Sequence, residues 1–144
     1  MIVPCFINSV LRWYKDRGGN MPYKILIVDD AAFMRNMIKD VFESMPGFSV
    51  IGEASNGIEA VEKYKALHPD LVTMDIVMPL KSGIEATKEI TSVDREAKII
   101  MCSALGQESL VMEAVEAGAR DFIVKPFKAE KVQEVVNRVL GIKA

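Results

Sequence analysis

From residue 24 onward, short apolar runs alternate with longer stretches in which apolar residues recur every three or four positions. "KILIVD" (24–29) is apolar and rich in branched residues, and reads as a buried strand. Met34, Met37, Ile38, Val41 and Met45 then fall at helical spacing, until Pro46-Gly47 breaks the run. "SVIGEAS" (49–55) reads as a second strand. A helix follows over 56–67, with Ile58, Val61 and Leu67 inward. "LVTMDI" (71–76) is a third strand, "MPLKSG" a turn, and 83–93 a third helix. "AKIIMCSA" (97–104) is a fourth strand, and the helix over 107–118 closes at Gly118. "DFIVKP" (121–126) is a fifth strand. The last helix, 128–141, carries Val132, Val135, Val136, Val139 and Leu140 on its apolar face. Five strand–helix units in succession predict an α/β, doubly wound, five-stranded parallel sheet covered by five helices on its two faces.

In such a sheet, ligands bind beyond the carboxyl ends of the strands. Those ends carry Asp29-Asp30 after strand one, Asp75 after strand three, Ser103 after strand four and Lys125 after strand five. Taken singly, each has an ordinary reading: Asp30 as a helix cap, Ser103 as a cap, Lys125 as a solvated charge. Together they put three carboxylates, a hydroxyl and an ammonium on one rim. Crowded carboxylates raise one another's pKa unless a cation joins them. Oxygen ligands without His or Cys suit Mg²⁺, with Mn²⁺ as a second choice. Phosphoryl transfer needs mainly positioning and charge neutralisation. Asp75, on the central strand, is the best-placed nucleophile for an aspartyl phosphate.

Composition narrows the partners. The chain has 144 residues, half of them hydrophobic, with 18 basic and 20 acidic side chains and a net charge of −2. That length points to one domain. The balance gives no electrostatic case for nucleic-acid binding. Cys5 and Cys102 make no disulfide framework, so a reducing cytoplasm is expected. The first 21 residues read differently from the rest and form a separate N-terminal extension. Its apolar stretch is too short for a membrane span and lacks the basic start of a secretory signal. Three readings stay open. It packs as an appendage through Phe6, Leu11 and Trp13, or lies at an interface with Arg12, Lys15 and Arg17 outward. In the third, favoured for a bacterial source, translation begins at Met21, because Arg17–Asn20 can be encoded by a purine-rich ribosome-binding sequence.

"LIVDD", "VTMDIVMP", "IIMCSA" and "DFIVKPF" resemble, in order, the signature blocks of bacterial response-regulator receiver domains. The resemblance covers roughly residues 22–143 and assigns 22–144 to a receiver domain, most similar to the stand-alone chemotaxis, CheY-like type. It implies a phospho-accepting switch of a two-component system, not a multiple-turnover enzyme. By the resemblance, Asp75 accepts the phosphoryl group from a histidine kinase. Asp30, Asp75 and the backbone carbonyl of Val77 hold Mg²⁺, with Asp29 acting through water. Lys125 partners the phosphate, Ser103 is the switch hydroxyl, Phe122 the switch aromatic, and the Lys125-Pro126 bond is cis. The implied output is a phosphorylation-dependent target, such as the flagellar motor switch. Val77 and Leu105 are apolar at positions where polar side chains can hold hydrolytic water, which implies slow self-dephosphorylation and a separate phosphatase.

Other readings compete. A phosphorelay intermediate would pass phosphate to a histidine phosphotransfer protein. A metal-dependent phosphatase or nuclease also places acids at strand ends, but needs a general acid or base that "DIV" does not supply. A flavin carrier would have its cofactor phosphate repelled by the acids. Phe33 falls off the core stripe and reads equally as an ordinary exposed residue or as part of a kinase docking surface. His68 reads as a solvated loop residue.

Overall fold

The computed structural model describes residues 22–104 and 107–142. The N-terminal extension and Leu105 lie outside them. Ten elements alternate along the chain: β1 (Tyr23–Val28), α1 (Ala32–Glu43), β2 (Phe48–Ala54), α2 (Gly57–Leu67), β3 (Leu71–Asp75), α3 (Gly83–Val93), β4 (Ile99–Ser103), α4 (Glu108–Glu116), β5 (Asp121–Val124) and α5 (Ala129–Leu140). The strands pair in parallel in the order β2-β1-β3-β4-β5. The order reverses between β1 and β3, and there the two strand ends part to leave a crevice.

Two apolar layers flank the sheet. On one face, Leu26, Val72, Met74 and Met101 pack against Val61 and Tyr64 of α2, Ile84 and Ile90 of α3, and Ala114 of α4. On the other, Ile25, Ile27, Leu71 and Ile100 pack against Ile38 and Phe42 of α1 and Val132, Val135 and Val136 of α5. All five residues of β3 and of β4 are buried, as expected of central strands covered on both sides.

Local chemistry ends the helices where the sequence indicates. Asn56 accepts the Glu59 N–H at 2.9 Å to start α2, and Ser82 accepts the Glu85 N–H at 3.1 Å to start α3. Gly118 takes φ +114° just past α4, a conformation that suits glycine. Gly83, at the first turn of α3, donates its N–H to the Ile76 carbonyl at 2.8 Å and brings the helix against the Asp75 main chain.

Several inward assignments are corrected. Ile58 is exposed, and Tyr64 is buried in its stead, donating its hydroxyl to Asp94 Oδ2 at 2.6 Å. Met37, read at helical spacing with Met34, Ile38, Val41 and Met45, lies on the surface; Phe42, five residues on, is buried in the core. Helical spacing alone does not separate these, because the buried stripe of a helix is wider than a single residue row. His68 is exposed, in a left-handed conformation at the end of α2.

Candidate metal and phosphoryl site

The strand ends at the crevice bring the acids together. One carboxylate oxygen each from Asp29, Asp30 and Asp75 lie within 4.8 Å of one another. Asp29 is 1% exposed and Asp75 8%, while Asp30 is open to solvent. The helix-cap reading of Asp30 fails: Ala31 occupies the cap position of α1, with no side-chain cap bond.

Lys125 follows β5 and reaches across to the cluster. Its Nζ lies 2.8 Å from Asp29 Oδ2 and 3.4 Å from Asp75 Oδ1. The Lys125-Pro126 peptide is cis, as the resemblance implies. The Lys125 main-chain N–H donates to the Ser103 carbonyl at 2.7 Å, which sets Ser103 beside the lysine at the same rim. The Ser103 side chain is 1% exposed. Every rim residue read from the strand ends therefore gathers at one place.

The electrostatics follow from three carboxylates facing one ammonium. Burial pushes the Asp75 carboxyl up to about 6; the charge of Asp29 adds to the rise, and Lys125 offsets part of it. Burial alone would lower the Lys125 ammonium, but its bond to Asp29 and the charge of Asp75 outweigh that and hold it above the usual lysine range. Burial also lifts the Cys102 thiol to about 12, so the cysteine next to the site on β4 stays a protonated, unreactive core group. An all-oxygen donor set that is short of positive charge fits a hard divalent cation of the Mg²⁺ type.

Apolar side chains are exposed on the Lys125 side of the site and just past Asp75. Phe33 is 73% exposed and Val77 55%. Phe33, Met34, Met37, Pro126 and Phe127 line a groove of about 520 Å³ that reaches Lys125. Phe122 is 41% exposed and turned outward, in a second groove with Val124, Phe127 and Arg138. The strand-end logic missed Arg35. Its guanidinium reaches the Asp29 main chain from α1, and such a contact to a backbone carbonyl has no signature in residue spacing.

Comparison with known proteins agrees with this geometry. Residues 25–137 match the family model described as the response regulator receiver domain. The chain is 61% identical over 121 residues to the chemotaxis protein CheY of Bacillus subtilis, covering 84% of this chain and 100% of that one. It is 60% identical over 119 residues to the chemotaxis protein CheY of Thermotoga maritima, covering 83% and 98%. Among solved structures, it superposes with a TM-score of 0.80 on a chain of the CheX-CheY-BeF3-Mg²⁺ complex from Borrelia burgdorferi. That chain is 42% identical; the match covers 88% of this chain and 93% of that one.

Proposed function

The chain belongs to the response-regulator receiver family and is a phospho-accepting signalling protein of the chemotaxis type; from that premise we propose how its own residues do the work. Asp75 is the phosphoacceptor. A carboxylate oxygen of Asp75 attacks the phosphorus of a phosphohistidine on the kinase. The P–N bond breaks, the imidazole leaves with the electron pair, and an acyl phosphate forms on Asp75. Lys125 holds positive charge beside the transferring group, and Ser103 donates a hydrogen bond to it. Asp30, Asp75 and the Val77 carbonyl would hold Mg²⁺, and Asp29 would act on it through water. When bound, the ion neutralises the oxygens of the transferring phosphoryl group. The observation that carries this reading is the meeting of three carboxylates with Lys125 at the switch point of the sheet.

Phosphorylation then adds charge and acceptor oxygens at one spot. Ser103 moves toward the phosphate, Phe122 turns inward, and the face made by α4, β5 and α5 changes its affinity for a target. The flagellar motor switch is the proposed target. The kinase docks on the apolar groove at Phe33, which reaches Lys125. Exposed, apolar Val77 offers no hydrogen bond to hold a hydrolytic water, so the phosphate is long-lived and a separate phosphatase removes it. The protein acts as a cytoplasmic switch and turns over no other substrate. No helix among the described residues is long and apolar enough to cross a membrane.

Incubation with Mg²⁺ and acetyl phosphate, followed by intact-mass measurement, tests the assignment. The parent gains one phosphate, and Asp75→Asn gains none. A gain in the variant, or none in a folded, Mg²⁺-binding parent, overturns it.

A further inference from the structure

Asp30 poses a problem for the site just described. It is exposed, and among the described residues no hydrogen bond or ion pair holds its side chain in place. A metal ligand on a free side chain loses rotamer and backbone freedom each time it binds, which weakens affinity. Its neighbour Asp29 is held at every polar atom. The Asp29 N–H donates to the Ala54 carbonyl at 3.1 Å, Oδ1 accepts the Ala31 N–H at 2.9 Å, and Oδ2 pairs with Lys125 at 2.8 Å. The remaining atom, the Asp29 carbonyl oxygen, accepts a hydrogen bond from Arg35 Nη1 at 2.7 Å.

We infer that Arg35 is a positioning residue for the metal site, which it serves by clamping the peptide that joins the two acids. This rests on the reading of the acid cluster as a Mg²⁺ site. The two peptide planes flanking the Asp30 α-carbon are both tied. The plane before it is held by Arg35, and the plane after it by the Ala31 N–H on Asp29 Oδ1. With both planes fixed, the direction of the Asp30 Cα–Cβ bond is fixed, from which a carboxylate oxygen comes within 4.8 Å of those of Asp29 and Asp75. Arg35 is aimed in turn by Glu53 on β2, whose Oε1 lies 3.2 Å from Nε. The Glu53 carbonyl accepts from the Lys63 ammonium. The guanidinium fork serves two acceptors at once, which a lysine ammonium on a shorter donor geometry does not reproduce.

The sign of one measurement separates this role from simple charge. Arg35 is a cation near a cation site. If it acted through its field alone, its removal would tighten Mg²⁺. As a clamp, its removal loosens Mg²⁺. Titration calorimetry of the unphosphorylated full chain with MgCl₂ reads this directly, with thermal melting by circular dichroism as the fold control. Arg35→Met weakens Mg²⁺ about ten-fold, in the range of outer-shell substitutions at metal sites. Arg35→Lys keeps the charge and still weakens it. Glu53→Ala, which touches none of the three acids, shifts affinity the same way by less. Equal or tighter binding by a folded Arg35→Met overturns the inference. Should that variant fail to fold, Arg35→Lys decides, and parent-like affinity there overturns it. Absence of Mg²⁺ binding by the parent instead overturns the metal-site reading on which the inference stands.

Discussion

Asp75 and Phe122 stand two strands apart in one sheet, yet their surroundings are built differently. β3 is buried along its whole length, and α3 beside it buries five residues, Gly83, Ile84, Ala86, Thr87 and Ile90. Asp75 at its end, and Asp29 beside it, both pair with Lys125. β5 is a four-residue edge strand with one buried position, Ile123. α4 buries Ala114 alone among its helical residues, and its cap residue, Gln107, makes no side-chain cap bond. The strand that carries the acceptor is firmly held, while α4 and β5, two elements of the face assigned to signalling, bury little. Local stability follows buried contact, so the second half is the one that a few new bonds can move. A switch needs both: a rigid place to receive the phosphoryl group and a cheap element to displace.

The largest expected effect comes from breaking the rigid half at the lysine that pairs with both Asp29 and Asp75. Lys125→Met leaves the Asp29 and Asp75 carboxylates facing each other, and costs about 2–4 kcal/mol of folding stability at pH 7. Urea unfolding shows a smaller loss at pH 5, where the Asp75 carboxyl takes up a proton. Equal stability to the parent at pH 7 would remove the lysine as the cluster's anchor.

Asp75→Asn works in the opposite direction. The folded state holds the Asp75 proton up to about 6, above the ordinary value of 3.8. Between those values the native state therefore binds more protons than the unfolded chain. Stability falls as pH rises through that window, and the full cost is present at neutral pH. The asparagine variant removes it, so in metal-free buffer it is more stable at pH 7 by about 1–3 kcal/mol, and the pH 4–6 slope flattens. A variant less stable than the parent contradicts the crowding argument.

Native-state hydrogen exchange sharpens the contrast itself. Amides of α4 open with a free energy about 1–2 kcal/mol below those of α3. Equal protection of the two helices would collapse the comparison. The smallest effect is kinetic. Val77→Asn supplies a hydrogen-bonding group beside the phosphate and speeds its loss about three-fold, a barrier change under about 1 kcal/mol. An unchanged rate would place the cause of phosphate lifetime elsewhere.

The order of elements was legible because strands and helices here have clean, different periods, and only a parallel sheet buries strands such as "IIMCS" on both sides. The rim was legible for a topological reason: parallel strands bring their carboxyl ends to one edge, so Asp29, Asp75, Ser103 and Lys125 were bound to meet. What escaped depends on rotation about a helix axis or on contacts to main chain. Ile58 and Met37 sit at the border of their apolar stripes, and a small turn of the helix puts them in water while Tyr64 and Phe42 go in. Arg35 escaped because its target is a carbonyl, which every residue carries. The central place of Asp75 singled it out as acceptor, and four signature blocks tied the rim to one family.

Gly83 leaves a mark on the heredity of this chain. A β-carbon there would lie 2.0 Å from the Asp75 carbonyl oxygen, so no side chain fits without driving α3 off the end of β3. Every missense change one base away from a glycine codon introduces a β-carbon. The position therefore has no neighbouring allele to drift through, and lineages that keep the acceptor strand in place must keep this residue too. In a saturation screen it would score as intolerant as Asp75, although it carries no chemistry of its own.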